Sequence, residues 1–400
     1  MSASHRRPWT TRFLTAGVVA ASALAFGAWA AVAAPATPFP VKHGIDIAGP
    51  YVRTQTFPYP QAGGQVSDYL TFAKMPASYS PAELKAMGFD FVRFTVDPAP
   101  MLENPRPIRA KLLSETEAGF QPYLAHGMRV IYDLHFWSPH PLYTNQAVTS
   151  GSPGIFGDYK ALVIDVAARL AKYPTGQVAL ELLNEPNNTV CSAGRWLQLQ
   201  GELVKAVRQV APKLPVLVTG CNDLLDATAA INGSNTDLHD PNLMFTFHFY
   251  DAVLFTEQGQ KVGNYAYLRG IPYPVNTGTE QNALSQTNAA IDAAHLPFTT
   301  SVSTKLWAAK QIHWYFNNNW GRAYINKRFD FMAQWARNNG IAPSRLIIGE
   351  FAAVNEFPTD TPAHLKARLT WDNDVKSAAE ARGMAWAFWN LPPTRGPIFR

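Results

Sequence analysis

Eight short apolar runs, at 43–47, 89–95, 129–135, 178–184, 216–219, 243–249, 346–349 and 384–389, punctuate this 400-residue chain, and most are followed by a longer stretch of helical periodicity. Runs of that length are too short for core helices, and without strict polar alternation they suit strands covered on both faces, as in a parallel sheet packed between helices. Helical segments are expected at 81–87, 116–126, 159–173, 196–210, 324–338 and 362–382. Gly88, Gly127, Gly340 and Gly383 follow such stretches and lead into the next strand, where a helix C-terminus favours glycine. Strand and helix alternating eight times match a closed barrel, so the expectation is an α/β chain with a single (β/α)8 TIM barrel. The fifth unit is weak, since 222–240 holds only a short helical pattern. Residues 251–319 form no obvious barrel unit and are expected to be a long insertion after strand six, carrying Tyr265, Tyr267, Tyr273, Trp307, Trp314 and Tyr315. Those aromatics either wall a cleft on the catalytic face or pack the insertion against the barrel.

Residues 1–34 join a basic start (Arg6, Arg7, Arg12) to an uncharged stretch ending in Ala31-Val32-Ala33-Ala34. This is a signal-peptide pattern, with an uncleaved N-terminal anchor as the alternative. It predicts a secreted or periplasmic protein whose catalytic domain occupies 35–400, with no stable membrane association once the signal is cleaved. Setting the three arginines aside leaves 31 Lys and Arg against 29 Asp and Glu. With no dense basic stripe elsewhere, nucleic acid is not an expected partner. Cys191 and Cys221 follow adjacent strand candidates and would meet an oxidising compartment, so they form a disulfide or are two unrelated small buried residues.

Two glutamates close apolar runs about 165 residues apart: Glu185 in Leu183-Asn184-Glu185-Pro186 and Glu350 in Gly349-Glu350-Phe351. Two carboxyl groups flanking an anomeric carbon are the equipment for opening a glycosidic bond, one as proton donor and one as nucleophile or activator of water. Barrel enzymes gather their chemistry at the C-terminal ends of the strands. Useful side chains recur there: Arg93, His135 with Trp137, Asn184 and Glu185, His248 and Tyr250, Glu350, then Trp386 and Trp389.

On Leu183-Asn184-Glu185-Pro186, Asp133-Leu134-His135, His248-Phe249-Tyr250 and Gly349-Glu350-Phe351, in that setting, the chain resembles glycoside hydrolase family 5, retaining β-glycanases of clan A. The resemblance runs from Gly44 to Asn390. It implies Glu185 as acid/base, Glu350 as nucleophile, Arg93 beside Glu350, Asn184 on the sugar 2-hydroxyl and Trp389 beneath the sugar next to the cleaved bond. Tyr250 is expected to hydrogen-bond the nucleophile. His135 and His248 orient carboxylates, bind hydroxyls or are structural, and Trp137 and Trp386 are further stacking candidates. Asn184 and Glu185 are neighbours, so both reach one site only if the strand bends before Pro186. Glu181 is expected to face a lower barrel layer with a structural role.

The implied activity is endo-hydrolysis of a polysaccharide or oligosaccharide, most readily β-1,4-glucan, by double displacement, without cofactor or metal and as a monomer. A β-mannanase, a β-1,3-glucanase or a transglycosylase on the same scaffold are alternatives, as is a non-catalytic carbohydrate-binding barrel. Gly44-Ile-Asp-Ile-Ala-Gly49 departs from the Arg-Gly-Val-Asn-like start of many relatives, and Phe136-Trp137 after His135 departs from the more usual polar follow-up.

Overall fold

The computed structural model describes residues 38–48, 80–137, 140–187, 191, 194–353 and 361–391. The proposed export segment and Gly49 lie outside them. Eight strands, β1 (His43–Ile47), β2 (Phe91–Val96), β3 (Arg129–Leu134), β4 (Val178–Glu181), β5 (Val216–Val218), β6 (Leu243–His248), β7 (Leu346–Phe351) and β8 (Ala385–Leu391), close into one barrel in chain order. Every neighbouring pair is parallel, including β1 with β8. The expected eight-stranded barrel is therefore the fold.

Strand alternation sorts the side chains into two populations. Phe91, Ile131, Ala179, Leu217, Met244, Ile347, Ala385 and Ala387 form one buried cluster inside the barrel, closed off by Phe39 and Val41 ahead of β1. The residues between them, among them Val92, Val130, Leu180, Val216, Phe245, Ile348 and Trp386, face outward into a larger core shared with the helices. Two residues beyond the inner apolar layer the same inward rows become polar: Asp46, Arg93, Asp133, Glu181, Thr219 and Thr246, all buried. The barrel is thus apolar at the N-terminal end of its strands and polar towards the C-terminal end, where period-two alternation places the site.

The helices before the insertion are α1 (Pro81–Ala86), α2 (Ala99–Glu103), α3 (Arg106–Ala125), α4 (Asn145–Thr149), α5 (Pro153–Leu170), α6 (Arg195–Val210) and the one-turn α7 (Leu225–Thr228). α1 starts with a capping box, Ser80 accepting from the Glu83 amide and Glu83 reaching back to the Ser80 amide. α3 begins ten residues earlier than the periodicity suggested, because Pro107 sits in its first turn, where its missing N–H costs nothing. The weak fifth unit is a 3-10 turn, Cys221–Asp223, followed by α7.

The insertion is helical. It contains α8 (Val253–Thr256), α9 (Glu280–Ala293) and α10 (Phe298–Phe316), after which α11 (Arg322–Asn338) and α12 (Pro362–Glu380) resume the barrel. Its aromatics pack largely on one another: Tyr265 edge-on to Trp307 at 5.6 Å, Tyr315 stacked on Trp320 at 5.8 Å, and Trp314 tilted on Trp320 at 5.3 Å. Tyr273 donates to Asp374 of α12 at 3.0 Å, tying the insertion to the barrel's helical layer.

At the closed end of the barrel, a Cβ on Gly44 would lie 2.2 Å from the Phe91 ring, which fills the space a side chain would take. Gly44→Ala is expected to destabilise the fold by about 1–3 kcal/mol through overpacking, read as a lower midpoint in urea denaturation.

Candidate active site

Arg93, fully buried on β2, organises the polar layer. Its Nη1 donates to Asp46 at 2.9 Å and to Glu350 at 2.7 Å, and its Nε and Nη2 grip both oxygens of Glu181 at 2.7 and 3.0 Å. Nη2 also lies 3.0 Å from Asp133 and donates to Asn184 Oδ1 at 2.8 Å. One guanidinium cannot balance four ionised carboxylates in a dry interior. Burial accordingly raises Asp46 well above the ordinary carboxylate range, with Arg93 opposing. It pushes Asp133 up to about 7 and raises Glu181, again against the pull of Arg93. Burial thus shifts all three towards their protonated forms.

Glu350 would point out of the barrel if β7 alternated strictly from Ile347. Register shifts between Phe247 and His248 and between Ile348 and Phe351 interrupt the ladders on both sides, and Glu350 turns inward there. Gly349 makes this possible, because a Cβ would lie 2.6 Å from Thr246 Oγ1. Glu350 Oε1 accepts from Arg93, Oε2 accepts from the Tyr250 hydroxyl at 3.0 Å, and His248 Nδ1 lies 3.5 Å away.

β4 ends at Glu181, three residues earlier than expected, and the chain then bends. Glu185 takes a left-handed φ of 40°, which lets it and Asn184 reach the same mouth. Asn145 braces this bend, its Nδ2 donating to the Asn184 and Glu185 carbonyls at 2.8 and 3.0 Å. The Glu185 amide donates to Asp223 Oδ2 at 2.8 Å, and its Oε1 lies 2.9 Å from His248 Nδ1. Its side chain is 45% exposed, yet the cleft walls remove enough water to raise its carboxyl above the ordinary value, with His135 and Arg93 opposing. One carboxyl oxygen each of Glu185 and Glu350 lie within 4.8 Å of each other.

The two histidines differ in task. Burial lowers both to about 4, so each is neutral near pH 7. His135 Nδ1 lies 3.0 Å from Asp133 and its Nε2 lies 3.1 Å from Asn184 Nδ2, so it holds Asn184 and touches neither Glu185 nor Glu350. His248 is the one facing both.

Trp389 stacks on Trp137 at 6.2 Å and on His135 at 5.9 Å, making an aromatic wall, with Trp137 39% exposed. Trp386 is not part of it. Alternation on β8 turns it outward, where it is buried, stacks on His43 and donates to Glu380. Cys191 and Cys221 form a disulfide across the segment after Glu185 and the turn after β5. Two donor sets, Glu181-Asp223-His248 and Glu185-His248-Glu350, are close enough to hold a cation. Several of their atoms also bond Arg93, Tyr250, the Glu185 amide or one another.

The residues not singled out beforehand are Asp46, Asp133, Asn145 and Asp223. Asp46 and Asp133 were signalled by parity, since they share inward rows with Gly44 and His135. Asn145 opens the short α4 and Asp223 ends the 3-10 turn after β5, and neither carries a local signal.

Two glutamate carboxyl groups facing each other at the mouth of a barrel, beside flat aromatic faces, are the equipment that glycosidic-bond cleavage calls for. The model for Cellulase (glycosyl hydrolase family 5) matches residues 53–394, and the chain belongs to this family. It is 24% identical over 226 residues to Endoglucanase 3 of Fibrobacter succinogenes, covering 56% of this chain and 31% of that protein. It is 26% identical over 232 residues to Endoglucanase C of Acetivibrio thermocellus, covering 53% and 63%. The chain thus spans less than two thirds of these relatives' length. Solved structures share the fold: the cellulose synthase subunit Z of Clostridioides difficile (TM-score 0.59, 21% identity, 88% of this chain and 92% of that one) and endoglucanase Cel5A of Thermotoga maritima (0.61, 16%, 88% and 90%).

His135 ties stability to pH. Its folded pKa of about 4 lies below the ordinary 6.5, so its contribution is present above about 6.5 and lost as pH falls through about 4. In thermal melts across that window, His135→Gln should lose less melting temperature than the wild type.

Proposed function

We propose that the chain is a retaining endo-β-glycanase acting on β-1,4-glucan. The observation that carries this reading is the approach of one Glu185 carboxyl oxygen to within 4.8 Å of one carboxyl oxygen of Glu350. Double displacement calls for carboxyl groups roughly 5–5.5 Å apart, whereas inversion needs about 6.5–9.5 Å to admit a water. The unlike surroundings support the division of labour. Arg93 and Tyr250 hydrogen-bond the two oxygens of Glu350 and hold them in place as the nucleophile's. Glu185, raised by its cleft, is suited to hold a proton.

In the first stage Glu350 attacks the anomeric carbon while Glu185 protonates the departing sugar oxygen. In the second, Glu185 takes a proton from water, whose oxygen displaces Glu350 and restores both groups. Asn184, fixed by Arg93 and His135, presents its amide to the 2-hydroxyl. Trp389 and Trp137 offer flat apolar faces to the C–H faces of pyranose rings. The glucan assignment draws on the endoglucanase names of the curated relatives. The N-terminal pattern supports export, with polysaccharide met outside the cytoplasm.

Reducing-end release should be measured on carboxymethylcellulose, mannan, xylan, mixed-linkage glucan and β-1,3-glucan. The expected result is strongest activity on the β-1,4-linked glucans, lowered about a thousandfold or more in Glu350→Gln. Preference for mannan would reject the glucan assignment, and activity surviving the substitution would reject the nucleophile.

A further inference from the structure

Glu185 holds a backbone conformation that its own sequence disfavours. Its φ of 40° is left-handed, where a side chain crowds the following carbonyl oxygen, and Pro186 after it pushes residue 185 towards extended backbone. An extended Glu185 would turn its side chain to the face opposite Asn184. The site therefore depends on what holds the bend.

Two peptide planes meet at Glu185. The first, joining Asn184 to Glu185, is held at both edges: its carbonyl accepts from Asn145 Nδ2 at 2.8 Å, and its N–H donates to Asp223 Oδ2 at 2.8 Å. The second, joining Glu185 to Pro186, has no N–H, and its carbonyl accepts from the same Asn145 Nδ2 at 3.0 Å. Successive carbonyls of an extended strand point to opposite sides, so one nitrogen bonds both only when they are turned the same way. Asn145 thus bridges the two planes whose relative rotation is the Glu185 backbone conformation.

The other end of the same amide reaches further along the chain, Oδ1 accepting from the Asn187 N–H at 2.8 Å. Two carbonyls call for donors and one N–H for an acceptor, which fixes the orientation of the Asn145 amide. Its base is firm. Thr144 caps α4 by accepting from the Ala147 amide at 3.0 Å, the Thr149 hydroxyl donates to the Asn145 carbonyl at 2.9 Å, and Val148 and Thr149 are buried. Past the bend the chain is anchored again, the Pro186 carbonyl accepting from the Asn222 amide at 2.8 Å and Cys191 joining Cys221.

We propose that Asn145 is a positioning residue for acid/base catalysis: by bonding the carbonyls on both sides of Glu185 it selects the left-handed bend that turns the Glu185 carboxyl towards Glu350. The proposal rests on the reading of Glu185 as acid/base. Without Asn145 the backbone at Glu185 relaxes towards extended and carries the carboxyl away, while Glu350 keeps its bonds to Arg93 and Tyr250. An aspartate has the same shape but turns carboxylate oxygens on two carbonyls and donates to neither.

The test compares wild type, Asn145→Asp and Glu185→Ala on aryl β-cellobiosides with good and poor leaving groups, with and without azide. Protonation of the leaving group matters only for the poor one. Azide displaces the Glu350 carboxylate from the sugar without needing a base, and so stands in for the water that Glu185 activates. Asn145→Asp should lower kcat/KM about tenfold to a hundredfold on the poor leaving group and hardly at all on the good one, where azide should raise its kcat, as in Glu185→Ala. Equal losses on both substrates with no response to azide, or no loss on either, while Glu185→Ala still shows the leaving-group dependence, would overturn the role of Asn145 alone. Absence of that dependence in Glu185→Ala would remove the acid/base reading and the proposal with it. If Asn145→Asp fails to fold, Asn145→Ala, which removes all three bonds without adding charge, decides by the same comparison.

Discussion

A single buried guanidinium holds the centre of this barrel. Arg93 touches Asp46, Asp133, Glu181 and Glu350, four carboxyl groups from four strands, and also grips Asn184. Removing one partner from such a network leaves uncompensated polar groups away from water, at a cost of about 3–5 kcal/mol for an ion pair. Replacement by lysine would retain the charge and lose the planar fork that lets one side chain answer several acceptors in fixed directions. The same cation orients the candidate nucleophile and the residue beside the candidate acid, so the electrostatics that hold the mouth together also set its chemistry.

From that arrangement the two glutamates acquire different surroundings. Glu350 is gathered into the network, with Arg93 on one oxygen and Tyr250 on the other. Glu185 sits at the rim on a left-handed bend, braced by Asn145 and Asp223 through its backbone, and touches His248 through its side chain. Both depart from regular strand geometry, one at a bulge and one past the end of β4. Regular alternation would have sent Glu350 out of the barrel, so the irregularities are what bring the pair face to face.

The architecture was legible because it depends on patterns that sequence carries directly. Eight apolar runs at barrel spacing, and glycines at helix ends, need no tertiary knowledge to interpret. Parity along a strand would have placed Asp46 and Asp133 inside with Arg93, and would have sent Trp386 outward under α12. Other features depend on distance through space. Nothing near Asp223 indicates that it meets the Glu185 amide, and Asn145 braces a bend about 40 residues further along the chain. The length of β4 was overestimated because Leu182 and Leu183 extend the apolar run past the point where the backbone leaves the ladder. The insertion defied reading because the buried stripes of its helices mix small and polar residues with apolar ones, Ala283-Thr287-Ile291 on α9 and Thr304-Ala308-Ile312-Tyr315 on α10.

The claim on which the account turns is that Glu350 forms a covalent bond to the sugar. Incubation with an activated 2-deoxy-2-fluoro β-cellobioside, followed by proteolysis and mass spectrometry, measures this directly. The account predicts a stable adduct of one fluorosugar unit on the peptide containing Glu350. An enzyme that turns over glucan yet yields no adduct, or one labelled at another residue, would contradict it.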